Sequence, residues 1–425
     1  MTEQNMEEIL AFREEKSKRR KALSERFRKP VVSFSLNLPG PEKRSFLADY
    51  AFYKGAKLGL FAFEKAAHFE TLSTPGGECA FFVVDLLAKE LKDRAQNLEN
   101  SATGRLFDFD VYDETGKALH RKTPRRCLLC EKPAAECAGR RSHPLSELTG
   151  KTKALLTELC AETLSGEAVS ALLYEASLTP KPGLVDEDTN GAHSDMDLFL
   201  LEHSAYTLKP YFKKTVLIGL SGGTMKELEE NGKEAEKAMF AATKGINTHK
   251  GAFYLFSLAL YAAGKHLADG ADCFMTVSDM AKQKTPVFDT HGAKVREKSG
   301  LGGVLAEAEA GFPLARTGYE TLSETKSELA ALFKIMSLCD DTNLYYRGGA
   351  EGLAFVKNEA KKALSFSGEA LFRRAKKLDK LFTEKNLSPG GSADLLALSL
   401  FLQKERALFF GKTDFSEDFF TYFSV

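Results

Sequence analysis

The sparest chemical signal in the chain is a pair of aspartates in Gly104-Arg105-Leu106-Phe107-Asp108-Phe109-Asp110-Val111. In an extended strand, residues two apart face the same side, so Asp108 and Asp110 share one face while Leu106, Phe107 and Phe109 pack around them. Two such carboxylates repel unless a cation joins them. Mg²⁺ held by one or two carboxylates and substrate phosphates is the usual solution in phosphoryl and nucleotidyl transfer. The plain alternative is a turn-flanking pair on an edge strand. Downstream, Cys127-Leu128-Leu129-Cys130, Cys137 and His143 supply the ligand types of a structural zinc site, with reduced buried thiols as the competing reading. Arg125 and Arg126, just ahead of them, suit a phosphate. A zinc knuckle would suggest single-stranded nucleic acid, but this segment lacks the stacking aromatics such binding uses.

The richest stretch is Lys181-Pro182-Gly183-Leu184-Val185-Asp186-Glu187-Asp188-Thr189-Asn190-Gly191-Ala192-His193-Ser194-Asp195-Met196-Asp197. It almost spells a calcium-binding EF-hand loop. His193 at loop position 8, Asp197 in place of the bidentate Glu at 12, and Pro180 and Pro182 at the entry argue against that. A catalytic loop using Asp186, His193 and Asp195 fits better, because three further loops bring matching groups. Asn247-Thr248-His249-Lys250-Gly251 precedes a helix, where unpaired N–H groups favour phosphate. Asp340-Asp341-Thr342-Asn343 leads to Arg347-Gly348-Gly349. Ser388-Pro389-Gly390-Gly391-Ser392-Ala393-Asp394 opens the last long helix, with glycines that let an anion approach the backbone. Each loop alone reads as a cap or turn; four on one helical stretch point to a shared site.

The elements that must position these groups change character near residue 150. Before it the chain reads as α+β: a charged helix over 7–28, strands over 31–38, 81–84 and 106–112, and helices over 44–69 and 86–99. After it the apolar spacing is almost wholly helical, over 154–164, 167–177, 198–208, 233–243, 252–267, 324–338, 352–366 and 393–409. Pro144, Thr149 and Gly150 read as breakers, which sets the expected domains at 1–150 and 151–425. A chain of 425 residues accommodates two domains. Lys+Arg and Asp+Glu balance at 59 each, which removes a whole-chain electrostatic case for nucleic acid or membrane. The first 150 residues hold 26 basic against 22 acidic side chains, a bias too mild to specify a docking partner. Seven cysteines, three crowded between 127 and 137, fit a reducing compartment better than a disulfide framework. With a charged start lacking an apolar core and no apolar run near 20 residues, the expectation is a cytoplasmic protein.

Val31-Val32-Ser33-Phe34, Pro39-Gly40-Pro41, Gly104–Val111 and Pro124-Arg125-Arg126-Cys127-Leu128-Leu129-Cys130 together resemble the transferase that installs the prosthetic group on the acyl carrier subunit of citrate lyase. The resemblance runs over nearly all of 10–148. It implies a nucleotidyltransferase-like domain that moves phosphoribosyl-dephospho-CoA from a triphosphoribosyl donor to a carrier-protein serine and releases pyrophosphate. Asp108 and Asp110 would then hold Mg²⁺ at the leaving pyrophosphate, with Arg44, Arg105, Arg125 and Arg126 as candidate phosphate contacts on their chemistry. Over about 165–405 the chain closely resembles the triphosphoribosyl-dephospho-CoA synthases, through Pro180-Lys181-Pro182-Gly183-Leu184-Val185-Asp186, Gly191-Ala192-His193, Asn247-Thr248-His249-Lys250-Gly251, Ala308-Glu309-Ala310-Gly311-Phe312-Pro313, Arg347-Gly348-Gly349 and Ser388–Asp394. That family joins the ribose C1 of ATP to the 2′-hydroxyl of 3′-dephospho-CoA and expels adenine.

Breaking a ribose–adenine bond builds positive charge that a carboxylate stabilises while a base takes the acceptor proton. Asp186 and Asp195 are the candidates for metal binding or charge stabilisation, and His193 or His249 for acid–base work. Lys181, Lys250 and Arg347 would neutralise triphosphate, with Asn247, Gly348, Gly349, Ser388, Gly390, Gly391 and Asp394 around it. One departure stands out: Leu305 occupies a position where relatives commonly carry arginine, so one phosphate contact is missing unless Arg296 or Arg316 supplies it; Glu307 is retained. The expected function is a bifunctional transferase that uses ATP and 3′-dephospho-CoA and loads the citrate lyase acyl carrier protein, with no nucleic acid or membrane partner. The competing readings are a Mg²⁺-dependent nucleotide glycohydrolase or ADP-ribose enzyme, and a non-enzymatic zinc-knuckle nucleic-acid module on a helical scaffold.

Overall fold

The structure, a computed structural model, describes residues 3–64, 66–121, 123–283, 295 and 297–411. The chain divides into two compact units, one ending at Glu162 and the other beginning at Thr163. The first unit is built on an antiparallel sheet of β1 (Val31–Leu36), β2 (Ala66–Thr74), β3 (Gly77–Val84), β4 (Phe107–Tyr112) and β5 (Ala118–Leu119), in the order β2-β3-β1-β4-β5. β1 and β3 are central, and β3 is buried along its whole length. Strand alternation sends Phe34, Phe82, Phe107 and Phe109 to the face covered by α2 (Phe46–Phe63) and α3 (Ala88–Asn100). Phe34 stacks on Phe109 with ring centroids 4.4 Å apart and meets Phe107 edge-on at 5.4 Å, a geometry that aromatic cores favour. The opposite face carries Val31, Cys79, Phe81 and Val83 and packs on Leu23 of α1 (Glu3–Phe27).

Asp108, Asp110 and Tyr112 alternate with buried Phe107, Phe109 and Val111, as the period-two reading expects. The expected helix over 44–69 ends at Phe63, and the chain re-enters the sheet as β2. Pairing with the fully buried β3 outweighs local helical spacing there. Thr149 and Gly150 do not break the chain: α4 (Ala134–Arg140) is followed by α5, one helix over Leu145–Ser177 that also joins the two stretches expected as separate helices.

The described part of the second unit is helical: the end of α5, then α6 (Leu198–Leu220), α7 (Met225–Ala242), α8 (Lys250–Asp269), α9 (Cys273–Lys282), α10 (Gly303–Glu309), α11 (Pro313–Thr325), α12 (Glu328–Leu338), α13 (Thr342–Ala363), α14 (Gly368–Glu384), α15 (Gly390–Lys404) and α16 (Arg406–Phe410). The core helices α8 and α15 are apolar nearly all round, as interior helices are. The stretch expected as one helix over 324–338 is split, because Lys326 takes a left-handed conformation and Ser327 Oγ accepts from Ala330 N to start α12. The segment leading to Arg347-Gly348-Gly349 is not a loop but the first half of α13, kinked at Gly349 (φ 61°, ψ −164°), a conformation open essentially to glycine alone. Among the described residues, no helix is long and apolar enough to cross a membrane.

Candidate active sites

In the first unit the two aspartates of β4 stand opposite β1 residues, Asp108 across from Ser35 and Asp110 across from Ser33. Cations reach them from three elements. Lys16 of α1 lies 3.8 Å from Asp110 and donates to Ser35 Oγ at 3.1 Å. Lys92 of α3 donates to Phe109 O at 3.2 Å, and burial lowers its pKa. Arg125 bridges Asp108 (3.0 Å) and the buried Glu99 (3.1 Å), while Arg121 pairs with the same glutamate. Glu99 in turn accepts from Phe109 N at 2.7 Å, so α3 fastens the open side of β4. Burial, then the neighbouring Asp108, raises Asp110 above the ordinary carboxylate range despite Lys16 and Lys92. One guanidinium nitrogen of Arg125, Nη1, is buried without a hydrogen-bond partner.

The other sequence-level phosphate candidates are placed differently. Arg44 is held by Asp49 (2.7 Å), Ser73 (2.6 Å) and Glu78 (3.4 Å) on the β2–β3 hairpin, separated from β4 by β1. Arg105 donates to the carbonyls of Arg126 and Cys127 and so braces the cysteine segment. Arg126 is exposed and pairs with Glu131. Cys127, Cys130, Cys137 and His143 converge until all four ligand atoms lie within 4.8 Å of one another. His143 Nε2 is 3.3 Å, and Cys137 Sγ 3.5 Å, from Cys130 Sγ. Burial would raise the Cys127 thiol, but hydrogen bonds from the N–H groups of Leu129 and Cys130, with those from the Cys137 and Cys130 thiols, together outweigh it and bring it to about 7.

In the second unit all four expected loops meet. His193 Nε2 is 2.8 Å from Ser388 Oγ, and Arg347 donates to His193 Nδ1 (3.2 Å), Ala192 O (2.8 Å) and Asn386 Oδ1 (2.7 Å). Because arginine only donates, Nδ1 accepts, and the Nε2 hydrogen points at Ser388. Asp195 lies 3.7 Å from the same Nδ1. Burial and the Arg347 charge both lower the His193 pKa. Asp341 caps α13 through Asn343 N and Leu344 N, and its second oxygen accepts from Ser392 N at 3.0 Å, tying α13 to α15. A Cβ added at Gly251 would land on Asp394 Oδ2, which brings the 247–251 loop against the 388–394 loop.

Asp186 is buried and organises its own loop: Oδ1 accepts from Asp188 N and Thr189 N at 2.8 Å, and Oδ2 from Lys181 N at 3.0 Å. Lys181 does not face solvent; its Nζ is buried against Glu175 at 2.7 Å. His249 is buried with Nδ1 3.0 Å from Ser204 Oγ, and burial plus the nearby Lys181 charge depress its pKa to about 4. Lys250 pairs with Glu236 at 2.6 Å, and Asn247 Oδ1 accepts from Lys250 N at 3.3 Å. Burial, then Glu175 and Asp341, raise Asp394 well above the ordinary carboxylate range. Beside this junction a cavity of about 270 Å³ is lined by Gly302, Gly303, Glu307, Asp340, Asp341 and Gly391 among others. Glu307 accepts from Leu314 N and Ala315 N and so caps α11. Arg316 stacks over Phe274 and is not among the cavity's lining residues; Arg296 lies outside the described residues.

Residue type and spacing do not identify Glu175, Ser204 and Asn386, nor Lys16, Lys92, Glu99 and Arg121 in the first unit. Glu175 reads as an ordinary charge on a helix until Lys181 is seen buried against it.

Residues 4–159 match the family model for apo-citrate lyase phosphoribosyl-dephospho-CoA transferase, and residues 161–410 the one for ATP:dephospho-CoA triphosphoribosyl transferase. Protein CitXG of Haemophilus influenzae is 34% identical across 93% of this chain and 95% of its own length. Protein CitXG of Leuconostoc mesenteroides subsp. cremoris is 31% identical across 94% and 97%. The 2-(5''-triphosphoribosyl)-3'-dephosphocoenzyme-A synthase of Haemophilus ducreyi is 34% identical across 64% of this chain and 98% of its own length. Neither the glycohydrolase reading nor the nucleic-acid module has a counterpart among these relatives.

Proposed function

The chain belongs over residues 4–159 to the apo-citrate lyase phosphoribosyl-dephospho-CoA transferases and over 161–410 to the ATP:dephospho-CoA triphosphoribosyl transferases, and from that premise we propose how its residues divide the work. It is a bifunctional transferase of citrate lyase prosthetic-group synthesis. One reaction makes 2'-(5''-triphosphoribosyl)-3'-dephospho-CoA from ATP and 3'-dephospho-CoA with release of adenine. The other attaches the phosphoribosyl-dephospho-CoA group to a serine of the apo acyl carrier protein with release of pyrophosphate.

In the second unit the dephospho-CoA 2′-hydroxyl attacks ribose C1 as the bond to adenine breaks; the hydroxyl loses its proton and adenine gains one. The observation that carries the assignment to residues is the four-loop junction around His193, Arg347, Ser388 and Asp394. His193 is our acid–base group, because His249 is fully enclosed and holds its neutral form far below working pH. Arg347 and the first-turn N–H groups of Gly390 and Gly391 take the triphosphate, since a helix start leaves such donors without helical partners. Asp195 and Asp394 face the developing ribose charge, which opposes the burial that raises Asp394 and favours its ionised form. Asp186, Asp341 and Lys181 shape the loops and the buried floor.

In the first unit, which we read as nucleotidyltransferase-like, the carrier serine oxygen attacks the phosphorus nearest the ribose as its bond to pyrophosphate breaks. Asp108 and Asp110 fit Mg²⁺, being hard oxygen donors on one face of β4. That ion would supply charge neutralisation at the phosphates. Arg125, beside Asp108, faces the same oxygens. Cys127, Cys130, Cys137 and His143 fit Zn²⁺ as a closed three-thiol, one-imidazole set. Seven free thiols support a reducing, cytoplasmic setting.

The test is a coupled assay with ATP, 3′-dephospho-CoA, Mg²⁺ and apo carrier protein, followed by mass spectrometry. Adenine release should require dephospho-CoA, and pyrophosphate should appear with a mass gain on one carrier serine. Asp108→Asn should lower carrier loading by about 10²-fold or more while leaving adenine release unchanged. Equal loading by that variant would remove Asp108 from the site.

A further inference from the structure

We infer that zinc bound by Cys127, Cys130, Cys137 and His143 is a positioning device for carrier loading, fixing the segment that delivers Arg125 to Asp108. This rests on the zinc reading above and adds a role to it. The segment has no apolar core of its own: among the described residues between 121 and 145, only Cys127 and Cys137 are buried. Its regular structure is one isolated bridge, Arg126 with Pro133, and the seven-residue α4. In such a segment a closed metal site does the work of a core, because metal binding and local folding become one equilibrium.

The ligand spacing turns that fixation toward the carboxylates. Cys127 N donates to Lys132 O (2.8 Å) and Ala134 N to Arg125 O (2.7 Å), closing the knuckle around the first two thiols. α4 then presents Cys137, and Arg141, in the left-handed region at φ 49°, turns the chain so that His143 returns to Cys130. Arg125 therefore sits two residues from the first ligand, on the segment that the knuckle closes. From there its guanidinium bridges Glu99 and Asp108, and its buried Nη1 keeps a hydrogen-bond donor without a protein acceptor. A buried donor left unpaired is costly, and a phosphate oxygen of the triphosphoribosyl donor is the acceptor the position suits. Arg105 holds the same segment from the β4 side through the Arg126 and Cys127 carbonyls, so Arg105 and the metal both grip it at Cys127.

The experiment uses the full chain, whose second reaction reports on its integrity. Metal analysis should find one zinc per chain, lost in Cys130→Ser. Cobalt substitution should give the visible bands of a tetrahedral thiolate site. Absence of both would overturn the zinc assignment itself. Stripping zinc with a chelator should cut kcat/KM for carrier loading on the order of 10- to 100-fold, restored by added Zn²⁺, with adenine release unchanged. In the Arg125→Ala background, stripping zinc should cost almost nothing further, because both changes remove the same contact. If zinc is present but its removal lowers loading equally in wild type and Arg125→Ala, the positioning role is overturned while the zinc site stands. A loss of protection of β1 and β4 amides on stripping would likewise overturn it, in favour of general support of the sheet.

Discussion

At the residue scale, histidines of the same type have been driven to different uses by their surroundings. His193 sits at a loop junction between Arg347 and Ser388, whereas His249 is enclosed beneath Ser204 and near Lys181. Sequence made them equal candidates, because residue type and loop context do not reveal burial. The aspartate pair was different: a period of two fixes which way Asp108 and Asp110 point, and the strand obeys it. Their cationic neighbours Lys16 and Lys92 come from α1 and α3, so only tertiary packing identifies them. The depressed pKa of His249, about 4, has a thermodynamic consequence. Its folded value lies below the unfolded one of ~6.5, so unfolding takes up a proton between these limits. The contribution is fully present above pH ~6.5 and is lost as pH falls toward 4, by about 3 kcal/mol in all. His249→Asn, which keeps an acceptor for Ser204 without titrating there, should lose less. Hydrogen exchange of the α8 amides across that pH range measures the difference, and parallel decline in both chains would contradict it.

At the element scale, the helices of the second unit were legible from apolar spacing, but their joins were not. α5 runs through Gly150 and Gly166, and the Arg347-Gly348-Gly349 stretch is a kinked helix, not a loop. Helix ends are decided by caps such as Ser327 and Asp341, whose oxygens reach backbone donors that spacing alone does not locate. The kink at Gly349 has a use: it ends the first half of α13 just after Arg347, which reaches back to Ala192 and His193. Gly251 has a different one. It lies in the first turn of α8, where an added Cβ would force the Asp394 carboxylate on α15 to shift. Alanine is a better helix former than glycine, so local propensity alone predicts that Gly251→Ala stabilises. The collision instead displaces a recessed carboxylate from the four-loop junction. Gly251→Ala should therefore lower adenine release about 10-fold or more, given the steep cost of misplacing reacting groups, while carrier loading from supplied intermediate is unchanged. Unaltered adenine release would remove Asp394 from the site.

At the scale of the whole molecule, each proposed set of reacting groups falls within one unit. Asp108, Asp110, Arg125 and the cysteine cluster lie before Glu162, and His193, Arg347, Ser388 and Asp394 lie after Thr163. The overall neutrality of the sequence therefore averages over two proposed sites for the same triphosphate, one that keeps it intact and one that cleaves it. On that proposal a few local cations suffice, so a zero net charge does not bear on the substrates. Fusion keeps the two catalysts in equal number; it does not by itself require that the intermediate stay on the chain that made it. The expected behaviour is complementation between molecules. Chains carrying Asp108→Asn and chains carrying Asp394→Asn, each inactive for overall carrier loading, should load the carrier when mixed. The triphosphoribosyl intermediate would then accumulate in solution before product, giving a lag that shortens as total protein rises. Added pure intermediate should abolish that lag. A mixture that makes adenine but neither releases free intermediate nor loads the carrier, although the Asp394→Asn chain accepts pure intermediate, would exclude simple diffusion between the units.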